Sequence, residues 1–176
     1  MGDAARLAGP GVVGVPRAHQ SFEIGVFLAT LLDALGVPWG WSKSTTPATI
    51  QRGEQLAPAQ HCLPVKTAIA HCRALLDGGA SAVLVPEILR LDLDGRPLKL
   101  CVYSQQLASF VRTALARDPD RGAAVLSPKI MLSEHRRSET CDALRACLEG
   151  RATRPGDVEG AFDEALAAWR AFKAGQ

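Results

Sequence analysis

What most restricts this chain is an alternation. Short apolar runs, three of them stopped by proline, are separated by longer segments of helical periodicity. Val12-Val13-Gly14-Val15 ends at Pro16, Ala82-Val83-Leu84-Val85 at Pro86, and Ala123-Ala124-Val125-Leu126 at Ser127-Pro128. Runs without polar alternation read as strands buried on both faces, as parallel sheets require. Val37 to Trp41 reads as a further strand, as does Leu98 to Tyr103, with an Asp94-Gly95 hairpin turn just before the latter.

The intervening segments carry helix signals. Ser21 is a candidate N-cap ahead of the stripe Phe22, Val26, Leu28, Leu31, Leu32 and Leu35, which Gly36 stops. Thr45-Thr46-Pro47 reads as a cap with proline at the first helical position. Further helices are expected at about 64–76, 105–117, 134–148 and 157–173, the last capped by Asp157. Strands alternating with helices predict an α/β chain: a mostly parallel sheet of about five strands, helices on both faces, and extra C-terminal helices. The expected organisation is a loose leader over 1–10, an α/β domain over 11–150 and a C-terminal helix over 151–176 packing on it.

Right-handed crossovers place every parallel strand's carboxyl end on one rim. There the chain puts Pro16-Arg17, Ser42-Lys43-Ser44, Pro86-Glu87, Tyr103-Ser104 and Ser127-Pro128-Lys129. The segment Gln60-His61-Cys62-Leu63-Pro64-Val65-Lys66 opens a helix at that rim. A cysteine at a helix mouth meets free N–H groups and the dipole, which favour a thiolate; the competing reading of Cys62 is a small buried hydrophobe. Cys101, closing the expected fourth strand, reads equally as a packing residue or a second thiol in the same crevice. Arg17 and Lys66 can face the crevice and hold phosphate or carboxylate, or stand in solvent. Cys72 lies deep in its helix, Cys141 and Cys147 are six apart on different helix faces, and all three read as packing; His71 reads as solvated.

Charge and composition exclude several classes. Twenty basic and 18 acidic residues give a net charge of +2, and three Trp, one Tyr and five Phe offer few stacking platforms, so nucleic acid is not an expected partner. No apolar run approaches the ~20 residues that span a bilayer. No signal-peptide layout opens the chain, so the expected location is the cytoplasm, where five cysteines are free thiols, ligands or core residues. No G-x-G-x-x-G follows the first strand, and neither a Walker motif nor a nucleophile elbow is present.

Gly14-Val15-Pro16-Arg17-Ala18, Leu35-Gly36, Cys62-Leu63-Pro64-Val65-Lys66, Val85-Pro86 and Cys101-Val102-Tyr103-Ser104-Gln105 fall in a joint order and spacing. Over about 11–135 that pattern resembles the uncharacterised domain of activase-related proteins of the 2-hydroxyacyl-CoA dehydratase system. The resemblance implies a Rossmann-like domain working beside an ATP-dependent activase or an acyl-CoA dehydratase-like partner, with a homodimer possible. It also implies a redox accessory role, with Cys62 and Cys101 as ligands of a [4Fe–4S] cluster. His61, Glu87, Cys72 or a second subunit would then complete the set. Gln60 stands where the family usually has an acidic residue, and Val102 where it has proline. The alternative kept beside this is a cluster-free module that binds a small anionic ligand or a partner protein.

Overall fold

A computed structural model of the chain describes residues 11–93, 96–98, 100–116, 124–154 and 157–176. The expected leader over 1–10 and the Asp94-Gly95 turn lie outside these residues. Three strands follow the apolar runs closely: β1 (Val13–Val15), β2 (Trp39–Trp41) and β3 (Ala82–Leu84). With β6 (Val125–Leu126) they form an all-parallel sheet in the order β2-β1-β3-β6.

A second, three-stranded sheet is built from β4 (Glu87–Leu93), β5 (Arg96–Leu98) and β7 (Lys129–Leu132), in the order β5-β4-β7. β4 and β5 form the expected antiparallel hairpin, with Leu93 opposite Arg96, while β4 and β7 are parallel. The two sheets are spliced. Val83 N donates to Ala124 O, Val85 N to Leu126 O and Glu87 N to Pro128 O, all at 2.8–2.9 Å, so one ladder passes both proline breaks. Pro86 and Pro128 have no N–H to give, which ends each strand formally without parting the chains.

Residues alternate sides in a strand, and the two faces of the sheet fill differently. Val13, Val15 and Leu84 join one core with α1 (Ser21–Ala34) and the last helix, α7 (Val158–Ala174). Val83, Val85 and Val125 join another with α3 (Leu63–Asp77) and α5 (Leu107–Leu115). Gly14 faces α3 so closely that a Cβ there would lie 2.9 Å from Leu75 Cδ2. α2 (Pro47–Leu56) lies on α3, and α6 (Arg137–Cys147) is entered through a single 3-10 turn, Glu134–Arg136.

The last helix turns a row of apolar side chains into the core. Val158, Phe162, Ala165, Leu166 and Trp169 are all buried, and Phe162 meets Phe27 edge-on at 5.6 Å. Trp169 Nε1 donates to Glu23 O at 2.7 Å. That carbonyl lies at a kink, since Ile24 leaves helical geometry at φ −122°, ψ 17°.

Local signals hold in most places. Thr46 and Thr49 form a reciprocal capping box with Pro47 next in line, and Asp157 accepts from Gly160 N at 2.7 Å. Ser21 does not cap α1: Gln20 is the N-cap residue, and the Ser21 hydroxyl donates to Pro16 O instead. The expected strand Leu98 to Tyr103 is corrected. Leu98 already ends β5, and Cys101 is the N-cap of α4 (Val102–Gln105), with Ser104 N donating to Cys101 O at 2.9 Å. The unforeseen β7 takes its place as the partner of β4.

Candidate functional site

The order β2-β1-β3 fixes where a site belongs. The chain crosses from β1 to β2 through α1 on one face, and from β2 to β3 through α2 and α3 on the other. The segments leaving β1 and β3 therefore part, and a crevice opens outside their carboxyl ends. A cleft of about 490 Å³ lies there. Ala18, His19 and Gln20 reach it from the loop after β1, Leu63, Pro64 and Thr67 from the start of α3, Ile88 from β4, Leu100 from the segment leading into α4, and Ser104 from α4 itself.

Two of these residues carry unusual features. His19 holds φ +53°, a left-handed conformation that side chains with a Cβ adopt seldom, and burial pushes its pKa below the ordinary value. Gln20 is 5% exposed. Its Nε2 donates to Ser104 O, tying the β1 loop to the Cys101 segment. Its Oε1 is buried with no partner among the described residues. Sequence reasoning took Arg17 from this loop and passed over both. The signal open to it was position, since they follow the first strand at the point where a sheet of this order parts.

The cysteines divide sharply. Cys62 and Cys101 are exposed, each an N-cap residue with extended backbone and no side-chain capping bond. Their segments meet in an aromatic group: the His61 ring lies 4.6 Å from Phe110 and 6.0 Å from Tyr103, and Tyr103 lies 5.4 Å from Phe110. His61 Nδ1 is buried there without a partner among the described residues. The exposure of Cys62 removes its reading as a small buried hydrophobe. Neither cysteine lines the cleft, though each is next in sequence to a residue that does, Cys62 to Leu63 and Cys101 to Leu100. Cys72 is wholly buried, and burial pushes its thiol up to about 12. Cys141 is buried as well, and burial raises the thiols of both Cys141 and Cys147.

The expected cations do not line the cleft either. Arg17 is exposed, with its guanidinium carbon 6.0 Å from the Trp41 ring and its backbone N–H bonded to Ser42 Oγ at 2.8 Å. Lys66 is half-buried on a stretch of α3 that meets α2, where a Cβ on Gly53 would lie 2.4 Å from Lys66 O. His71 is a correction. It is 2% exposed, not solvated, because α3 turns it inward to Thr45 Oγ1, 2.9 Å from Nε2. Burial first, and the charge of Arg17 second, hold its pKa below the ordinary 6.5. It lines a second groove of about 440 Å³ together with Ser42, Lys43, Ser44, Thr46 and Thr49.

A [4Fe–4S] cluster takes four thiolates or their equivalents. Cys62 and Cys101 are half of such a set. No group of three or more His, Cys, Asp or Glu able to hold a metal exists among the described residues, so those residues do not make up a complete cluster set by themselves. Among the same residues no helix is long and apolar enough to cross a membrane.

Comparison with known protein families finds a match. The family model described as the CoA enzyme activase uncharacterised domain covers residues 12–176, which takes in the last helix as well as the strand–helix alternation. No curated protein and no solved structure matches significantly.

Proposed function

The chain belongs to this family of CoA enzyme activase domains, and from that premise we propose that it is a redox accessory domain of an acyl-CoA dehydratase/activase-type system. In this reading Cys62 and Cys101 supply two thiolates toward a [4Fe–4S] cluster, and a second chain supplies the rest. The second chain is an activase, a dehydratase-like protein or another copy. The observation that carries the reading is the sorting of the cysteines. The two that are exposed both head helices on the strand-end rim and flank one aromatic group, while Cys72 and Cys141 are buried. Exposed, unbonded thiols at an edge suit a shared set better than an internal one.

The test is iron and acid-labile sulfide content after oxygen-free purification and reconstitution, for the chain alone and mixed with a dehydratase or activase partner. About four irons per dimer or per mixed complex, lost in the Cys62→Ser/Cys101→Ser double variant, is the expected result. Iron-free protein under every condition, or iron kept by the double variant, sinks the reading.

A second reading, a cluster-free module for a small anion, is favoured by the second groove. Lys43 and the hydroxyl residues Ser42, Ser44, Thr46 and Thr49 line it, and the Arg17 charge reaches His71 in its wall. Titration with inorganic phosphate checks it: saturable binding lost in Lys43→Ala supports the module, and its absence removes it.

A further inference from the structure

We propose that the open edge of β2 is a docking surface for a second copy of this chain, the two β2 strands pairing antiparallel about Gly40 so that both parallel sheets become one. The surface involves neither the cleft nor the cysteine pair.

The backbone supplies the first argument. β2 stands at the end of the order β2-β1-β3-β6 and has a neighbour on one side only. Its even-numbered residues turn to that neighbour. Val13 N donates to Pro38 O at 2.8 Å and Ser42 N to Val15 O at 3.0 Å, with Gly40 between them opposite Gly14. Backbone groups alternate sides along a strand, so the N–H and C=O of Trp39 and Trp41 point outward, where no described residue bonds them. Native edges are commonly blunted by proline or by charge. Here Pro38 falls on the inward side, and Trp39-Gly40-Trp41 carries no charge.

Symmetry then fixes the register. A twofold axis at Gly40 sets Trp39 of each copy opposite Trp41 of the other. Both are hydrogen-bonded pairs, in which each residue gives one N–H and receives one, so every outward group of the two strands is used. Gly40 meets its own image on the axis with no side chain between. The two indoles lie on the α1 face, edge-on at 5.3 Å and half-buried, and this pairing joins them to those of the second copy.

Charge selects a second copy over another protein. Arg17 is exposed, its guanidinium carbon 6.0 Å from the centre of the Trp41 ring. Asp33 is exposed too, and accepts from Trp39 Nε1 at 2.8 Å. A cation thus attends one indole and an anion the other. The twofold axis brings Trp41 beside the second copy's Trp39, and with it Arg17 toward the second copy's Asp33, once on each side of the axis. An edge with opposite charges at its two ends is complementary to itself.

The test is sedimentation equilibrium of the full chain over a concentration series. A thiol reductant and a chelator are present, so that neither a disulfide nor a shared metal joins the copies. The mass is expected to rise from the 18.7 kDa of one chain to twice that value. Arg17→Asp or Asp33→Arg sets like charges against each other on both sides of the axis and should weaken association about tenfold or more. The double exchange should restore it. Because Trp39 loses its acceptor in the double variant as in Asp33→Arg, that rescue separates the cross-axis pair from a merely structural role. In hydrogen exchange, the Trp39 and Trp41 amides should be slow in the dimer and fast in the dilute monomer. A monomer at every concentration would overturn the proposal. So would a double variant no better than the singles, or Trp39 and Trp41 amides whose exchange ignores concentration, as expected if another face dimerises or another part of the chain covers the edge.

Discussion

The two faces of the sheet are filled by different kinds of side chain and bear different chemistry. On the α1/α7 face the core is large and aromatic, with Phe27, Phe162 and Trp169 each essentially inaccessible to solvent. On the α3/α5 face it is built from Ala68, Ala108, Val65, Val111, Cys72 and other small or medium residues. Cys62 and Lys66 belong to the second face, and the His61–Tyr103–Phe110 group borders it. The cleft lies on the seam, with Gln20 and Phe22 from the first side and Leu63, Pro64 and Thr67 from the second. The difference teaches that heavy packing fixes one side of the rim, against which the loops of the other are free to carry polar and reactive groups.

Trp169→Ala breaks this division most severely. Removing a fully buried indole and its bond to Glu23 O should cost about 3–5 kcal/mol, read as a lowered urea midpoint. A loss below about 1 kcal/mol would show that the aromatic face is not what secures the rim. On the opposite face, Gly53→Ala sets a methyl against the Lys66 carbonyl and should cost about 1–3 kcal/mol by pushing α2 off α3.

A gentler effect is expected from pH. His19 and His71 both have pKa values held below 6.5 by burial. Between those lowered values and 6.5 the unfolded chain binds more protons than the folded one. Stability is therefore complete above about pH 6.5 and declines as the pH falls through that window. Urea midpoints at about pH 7.5 and pH 5.5 check this, and His71→Gln should flatten the difference; a midpoint that rises on acidification contradicts the assignment.

The smallest effect sharpens the comparison most. Cys62→Ser and Cys101→Ser should each shift stability by no more than about 0.5 kcal/mol, because neither thiol is buried or bonded. A thiol reagent should label these two rapidly in the native protein, while Cys72 and Cys141 react only after unfolding.

The sequence was most legible where local and global signals agree. Apolar runs stopped by proline mark β1, β3 and β6, and the Thr46 cap and the Asp157 cap stand where their spacing puts them. It misled where one residue pattern serves two ends. Leu98 to Tyr103 has strand character, yet β5 stops at Leu98 and Cys101 starts a helix, because β4 takes β7 as its other neighbour. That pairing depends on a ladder running past Pro86 and Pro128, which no local rule displays. His71 misled for a related reason: the hydroxyl that its ring meets belongs to Thr45, 26 positions away. The place of Cys62 at the head of a helix was legible because a helix mouth is a local feature. Gln20 was missed because an unpaired oxygen is defined by everything that fails to reach it.

The bond from Trp169 to Glu23 joins residues 146 positions apart. At a ribosomal pace of about 5–20 residues per second, α1 waits about 7–30 s before its partner helix has been made. Through that interval Phe27, Leu28 and Leu31 lack the surface that covers them in the finished protein. The aromatic face, the firmest part of the native molecule, is thus the last to close during synthesis, and it is where a nascent chain of this protein has most need of a chaperone.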